Sequence, residues 1–201
     1  MKTGIVIKTN IKAITLTTVI FCLILLKPIT SLASEFTLDA LATIMAANNL
    51  TEIIHFTENK NLRFLNKPLI LSGRFYFRSS DFLQKNIDQP FVKVYTLKNN
   101  TLTHTDKKLE SEILTLKDHP LIYASMQAFY TTMSGKFQRF QSNTKIELSG
   151  TSEQWELVLT PQSEYTLRYI KNVILSGNHT FIERVVTNEI NGDSSIIWMT
   201  K

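Results

Sequence analysis

The sequence predicts an α+β fold dominated by antiparallel sheet. Three observations carry that prediction. Apolar residues recur at helical spacing in two main blocks, residues 37–49 and 118–135. Elsewhere after residue 50 the apolar period is two, as on a half-buried strand. The period-two runs are separated by short turn signals such as Asn99-Asn100, Gly177-Asn178 and Asn191-Gly192. Runs of strands broken by a single helical block fit antiparallel sheet better than the regular alternation of a parallel one.

The elements follow in order. Lys2, Lys8 and Lys12 precede an uncharged apolar run from Ala13 to Leu26, and then Lys27, Pro28 and a short stretch ending Ser31-Leu32-Ala33. Basic, apolar, small is the order of a secretory signal, with cleavage near Ala33. At ~1.5 Å per residue the apolar run spans only ~21 Å, short of a ~30 Å hydrocarbon core, which argues against a retained anchor. Residues 1–33 are therefore expected to be a signal peptide and residues 34–201 one exported domain. Thr37 can cap a first helix whose apolar face is Leu38, Leu41, Ala42 and Met45, with Asn48-Asn49 as its stop. Residues 52–65, 69–77 and 91–97 read as strands, the last turning at Asn99-Asn100 into Leu102-Thr103-His104. Asp118 can cap the second helix, with Pro120 in its first turn. Its stripe is Ile122, Met126, Phe129, Tyr130 and Met133, and Gly135 ends it. A short helical turn with Phe137 and Phe140 follows. Residues 146–148, 155–159, 165–174, 180–189 and 195–199 complete the strands, and Asn191-Gly192 is the strongest hairpin signal.

Charge narrows the function. The chain has 22 Lys plus Arg against 17 Asp plus Glu in 201 residues. Four of those bases and none of the acids lie in the first 33 residues, which leaves 18 against 17 in the body. A near-neutral body argues against a nucleic-acid surface. The single Cys22 lies in the leader, so the body holds no disulfide, thiol nucleophile or thiolate metal site. With 43% hydrophobic residues the chain can build a core and is not disordered.

Catalytic motifs find no support. His55, His104, His119 and His179 each fall in a different element, with no His-Glu-x-x-His and no helical His pair for zinc. There is no Gly-x-Ser-x-Gly elbow and no phosphate-cradling glycine run. Glu110 and Glu112 alternate on one exposed strand face, a solvated edge. No metal, cofactor or catalytic residue is expected, and the chain is read as a non-enzyme. What remains is apolar surface: Phe75, Phe77, Trp155, Leu157 and Leu159 on strands. Periodicity alone reads these as ordinary core. The Met and aromatic content of helix 121–133 suits a surface that repacks. Two helices are also few to cover a large sheet, which leaves a ligand cavity open as the other reading.

A set of short motifs then appears in order along the chain. These are Phe56-Thr57-Glu58, Leu65-Asn66-Lys67-Pro68-Leu69, Ser72-Gly73-Arg74-Phe75-Tyr76-Phe77, Asp81-Phe82-Leu83 and Gln89-Pro90. Met133-Ser134-Gly135, Trp155-Glu156-Leu157-Val158-Leu159-Thr160-Pro161 and the hairpin 188–197 around Gly192-Asp193 follow. Together with the leader and first helix, they resemble the LolA family of periplasmic lipoprotein carriers, and more narrowly its divergent branch. The resemblance implies an unclosed antiparallel β half-barrel with a lid of short α-helices and an acyl-binding space between them. It places Phe75, Phe77, Trp155 and Leu157 on the sheet side of that space. Ile122, Met126, Phe129, Met133, Phe137 and Phe140 fall on the lid side. It further implies a lipoprotein or other acylated envelope lipid as cargo, an inner-membrane donor and an outer-membrane acceptor. The better-known carriers have an Arg-Pro after the Gly-containing strand, and that Arg is tied to lid closure. Here the strand ends Arg78-Ser79-Ser80, with Ser79 at the Arg place, so the latch role is not carried over to Arg78. A glycolipid, polyketide-like or other acyl-bearing envelope lipid is therefore at least an equal expectation for cargo. The alternative is a periplasmic sensor or adaptor on the same fold, and an exported hydrolase ranks third. A monomer is the default.

Overall fold

Strand pairing starts where polar and apolar residues begin to alternate. The computed structural model describes residues 36–47, 53–78, 82–99, 101–105, 111–115, 118–140 and 142–201. Strand β1 (Ile53–Asn61) turns Ile54, Phe56 and Glu58 inward, and Ile53, His55 and Thr57 outward. Strand β2 (Leu69–Arg78) sets Gly73 opposite Phe56 and Phe75 opposite Ile54. Four further strands extend the sheet on that side: β3 (Phe82–Gln89), β4 (Lys93–Lys98), β5 (Thr101–Thr105) and β6 (Ser111–Leu114). After the helical block come β7 (Thr144–Gly150), β8 (Trp155–Pro161), β9 (Ile170–Asn178), β10 (Phe181–Glu189) and β11 (Ser194–Thr200).

All pairs are antiparallel, and β1 pairs with β11 in the middle of one sheet of 11 strands. The spatial order is β6-β5-β4-β3-β2-β1-β11-β10-β9-β8-β7. Strands β6 and β7 are its two edges, so the sheet is unclosed, as the motifs implied. The chain crosses from one edge to the other through helix α2 (Pro120–Met133), which packs on β9 and β10 and on helix α1 (Leu38–Ala46).

Local chemistry explains these boundaries. Thr37 caps α1, its hydroxyl accepting from the Ala40 amide at 3.2 Å, as the sequence suggested. Gly135 follows α2 with φ of 65° and lies against the Ala42 carbonyl, where a side chain would collide. Gly192 supplies the positive φ of the β10–β11 turn. Asn48 and Asn49, read as the stop of α1, lie outside the described residues.

Four expectations differ. Asp118 does not cap α2: His119 holds that position, and the Asp118 carboxylate accepts from the Thr115 hydroxyl at 2.6 Å. The strand expected over 52–65 stops at Asn61, and residues 62–68 form its turn. Strand β3 was not expected because its inner face reads Leu83, Lys85, Ile87, and the central lysine breaks the apolar alternation. The strand expected over 165–174 is split. Ser163 caps a one-turn helix α3 (Glu164–Leu167) by accepting from the Thr166 amide, and β9 starts only at Ile170. Tyr165, Leu167 and Tyr169 alternate like a strand, but that pattern also fits the i, i+4 contact of Tyr165 with Tyr169, whose ring centroids lie 5.8 Å apart.

The core fills the concave face. Phe75 stands between Phe56 and Phe129, with ring centroids 4.9 and 4.7 Å away, so α2 is joined to the sheet by a run of aromatic rings. Trp155 is buried over Gly177 of β9, where any side chain would meet its indole, and its Nε1 donates to the His179 carbonyl at 3.0 Å.

Candidate functional site

Helix α2 has one apolar stripe that meets the sheet and a neighbouring stripe that does not. Met126, Phe129 and Met133 are each no more than 2% exposed, while Tyr123, Ala124 and Gln127 are half-buried. The second stripe forms one wall of a groove of about 230 Å³. Leu159, Pro161, Ile170 and Val173 of β8 and β9 form the opposite wall. Phe140, after the short 3-10 turn Phe137–Arg139, and Asn143 with Thr144 at the start of β7 close a third side. Ser163 and Thr166 of the α3 segment border it. The groove therefore lies on the unclosed side, beside the β7 edge.

It opens into a wider vestibule of about 670 Å³ that shares Tyr123, Gln127, Phe140 and Asn143 with it. Asn99 of the β4–β5 turn, Thr131 of α2 and Arg139 complete that vestibule. The Arg139 guanidinium sits 5.4 Å from the centre of the buried Tyr130 ring. The site thus passes from an apolar interior to a polar mouth carrying one cation.

The ten positions singled out from sequence divide into three groups. Phe75, Phe77, Met126, Phe129, Met133, Phe137, Trp155 and Leu157 are buried, each at most 2% exposed, and belong to the packed core between sheet and α2. Ile122 is half-buried and borders a separate cavity of about 40 Å³ with Glu58, Glu189 and Ser195. Phe140 lines both groove and vestibule. Sequence reasoning passed over Tyr123, Ala124, Gln127 and Ala128. Their stripe carries a phenol and an amide and reads as the polar side of α2. No segment-level signal marks it, because the groove exists only once β8 and β9 face that side.

The concave face also holds an ion pair. Lys85 Nζ lies 2.5 Å from Glu58 Oε2, and both side chains are 3% exposed. Ser195 donates to Glu58 Oε1 at 2.6 Å, and Lys60 lies 3.6 Å from the same oxygen. Burial alone pushes the Glu58 carboxyl up. Lys85, Lys60 and the hydrogen bonds outweigh that and hold it down at about 2, so the group is ionised. Burial pulls Lys85 below the usual lysine range against the attraction of Glu58. The Lys85 ammonium also lies 4.8 Å from the centre of the Phe56 ring.

Among the described residues no group of three or more His, Cys, Asp or Glu converges as a metal site, and no helix is long and apolar enough to cross a membrane. Ser79, and the side chain of Arg78, lie outside the described residues.

Comparison with known proteins adds a family. The family model described as outer membrane lipoprotein carrier protein LolA-like matches residues 28–199. No curated protein matches in sequence. Among solved structures, a LolA superfamily protein from Nitrosomonas europaea is 9% identical over 82% of this chain and 92% of its own, with a TM-score of 0.45. A DUF1329 family protein from Desulfovibrio piger is 9% identical over 82% and 90%, with a TM-score of 0.44. The MucA/MucB complex of Pseudomonas aeruginosa contains a chain that is 8% identical over 82% of this chain and 56% of its own, with a TM-score of 0.43.

Proposed function

Because the chain belongs to the LolA-like outer membrane lipoprotein carrier family, we propose that it is a periplasmic carrier that binds the acyl chains of a lipoprotein or other envelope lipid. Residues 1–33 are the export signal in this reading, and residues 34–201 are the working domain. An inner-membrane donor loads it and an outer-membrane acceptor unloads it. The observation that carries the reading is the apolar groove between α2 and β8–β9, which opens on the unclosed side of the sheet.

The energetics suit a shuttle. Moving an acyl chain from water into such a site gains ~0.8 kcal/mol per methylene. At about 230 Å³ the groove lies below the ~300–1,000 Å³ of a typical ligand pocket, so it takes part of one chain as it stands. More chain requires α2 to lift and the Phe75–Phe129 stack to part. Losing the packing of one buried phenylalanine costs about 3–5 kcal/mol. Burial of roughly four to six methylenes offsets that. On lifting, Phe75, Phe77, Met126, Phe129, Met133, Phe137, Trp155 and Leu157 would meet the cargo, and Ile122 and Phe140 would border it. No covalent step is needed, and release follows when an acceptor offers an equally apolar site.

The test is native mass spectrometry of the protein purified from the periplasm of its own host, followed by solvent extraction and lipid analysis. A bound acyl lipid that is lost in a folded Phe129→Asp variant is the expected result. A clean apo mass with no uptake of lipids or lipopeptides would remove the basis of the reading.

A further inference from the structure

The groove is apolar, but its vestibule is built for charge. Arg139 is the one charged side chain lining it among the described residues, and it makes no ion pair with them. Arg139 is exposed, with its guanidinium 5.4 Å from the centre of the Tyr130 ring. Thr131 is 0% exposed and its hydroxyl has no hydrogen-bond partner, although it lines the vestibule. A buried hydroxyl without a partner is costly and marks a place where a ligand or water completes the site. Asn99 and Asn143 line the same space.

The geometry points to an anionic amphiphile as the ligand: an acyl chain lies in the groove and its phosphate or carboxylate headgroup is held at Arg139. The planar guanidinium fork matches both anions. Asn99 and Asn143 bring neutral amide side chains to the same vestibule, and no carboxylate among the lining residues opposes the head. This assignment rests on the acyl-binding reading and adds the class of headgroup.

The test uses the purified protein loaded with the neutral fluorophore N-phenyl-1-naphthylamine. Dodecyl phosphate, dodecanol and inorganic phosphate are the competitors. Dodecyl phosphate is expected to displace the fluorophore at a roughly tenfold lower concentration than dodecanol. Arg139→Gln removes that difference by weakening displacement by dodecyl phosphate. Lys145→Gln, which makes the same change in net charge on the outer strand β7, keeps the difference. An equal potency of the two dodecyl compounds, or a preference that survives Arg139→Gln, overturns the headgroup assignment while acyl binding stands. Inorganic phosphate that binds as tightly as dodecyl phosphate marks a site for free anions and overturns it as well. A protein that takes up neither fluorophore nor dodecyl compound defeats the acyl-binding reading first, and the headgroup with it.

Discussion

Replacing Lys85 by methionine isolates the electrostatics of the concave face. Methionine keeps most of the side-chain volume and removes the charge. Glu58 is then left with its carboxylate 3% exposed, and only Lys60 at 3.6 Å and the Ser195 hydroxyl remain to offset the burial. Breaking a buried pair in this way costs about 3–5 kcal/mol, because an uncompensated charge stays behind. For a chain of this size ~1 kcal/mol moves the melting temperature by ~2–4 °C, so a fall of roughly 6–20 °C is expected. Urea unfolding followed by tryptophan fluorescence reads the change in midpoint at constant slope. The double variant Glu58→Leu with Lys85→Met should recover most of the loss, since replacing both members by apolar groups is often neutral. The pH dependence has a definite sign. Glu58 is held below its unfolded value of 4.5, at about 2. Its contribution is therefore full above about 4.5 and is lost as pH falls toward 2. Glu58→Gln should flatten that acid limb. A cost below about 1 kcal/mol for Lys85→Met, or a double variant whose loss equals the sum of the singles, would refute the pair as a coupled unit.

Three further outcomes follow from the packing. Phe129→Ala should destabilise by about 3–5 kcal/mol in urea unfolding, because it removes the ring that joins α2 to Phe75. Gly177→Ala should cost about 1–3 kcal/mol and alter the near-ultraviolet circular dichroism of Trp155, whose indole occupies the space of the new methyl group. Ala124→Trp should fill the groove and weaken uptake of a fluorescent acyl probe at least tenfold in displacement titrations, an effect of ~1.4 kcal/mol or more, while far-ultraviolet circular dichroism stays unchanged.

Much of the fold is legible in the sequence because its signals are local. Thr37, Gly135 and Gly192 each mark a boundary that a hydrogen bond or a positive φ explains. The alternation of Phe75 and Phe77 against Arg74 and Tyr76 gives the inner face of β2 directly. Strand β3 is illegible for the opposite reason. Lys85 faces inward only because Glu58, two strands away, is there to receive it. The same limit applies to the site. Choosing the most apolar stripe of α2 finds the residues that pack the core. The groove belongs to the next stripe, whose walls come from β8 and β9 some thirty or more residues later. Phe140 is the position where the two readings meet.

The central claim is that acyl chains enter between α2 and β8–β9, and a photoreactive probe tests it most directly. The purified protein is loaded with a diazirine-bearing fatty acid, irradiated and digested, and the labelled peptides are mapped by mass spectrometry. The account predicts label on peptides that hold Tyr123 to Ala128 and Leu159 to Val173, reduced by Ala124→Trp. Label confined to the outer face, at positions such as Ile70 and Trp198, or no specific label at all, would contradict it.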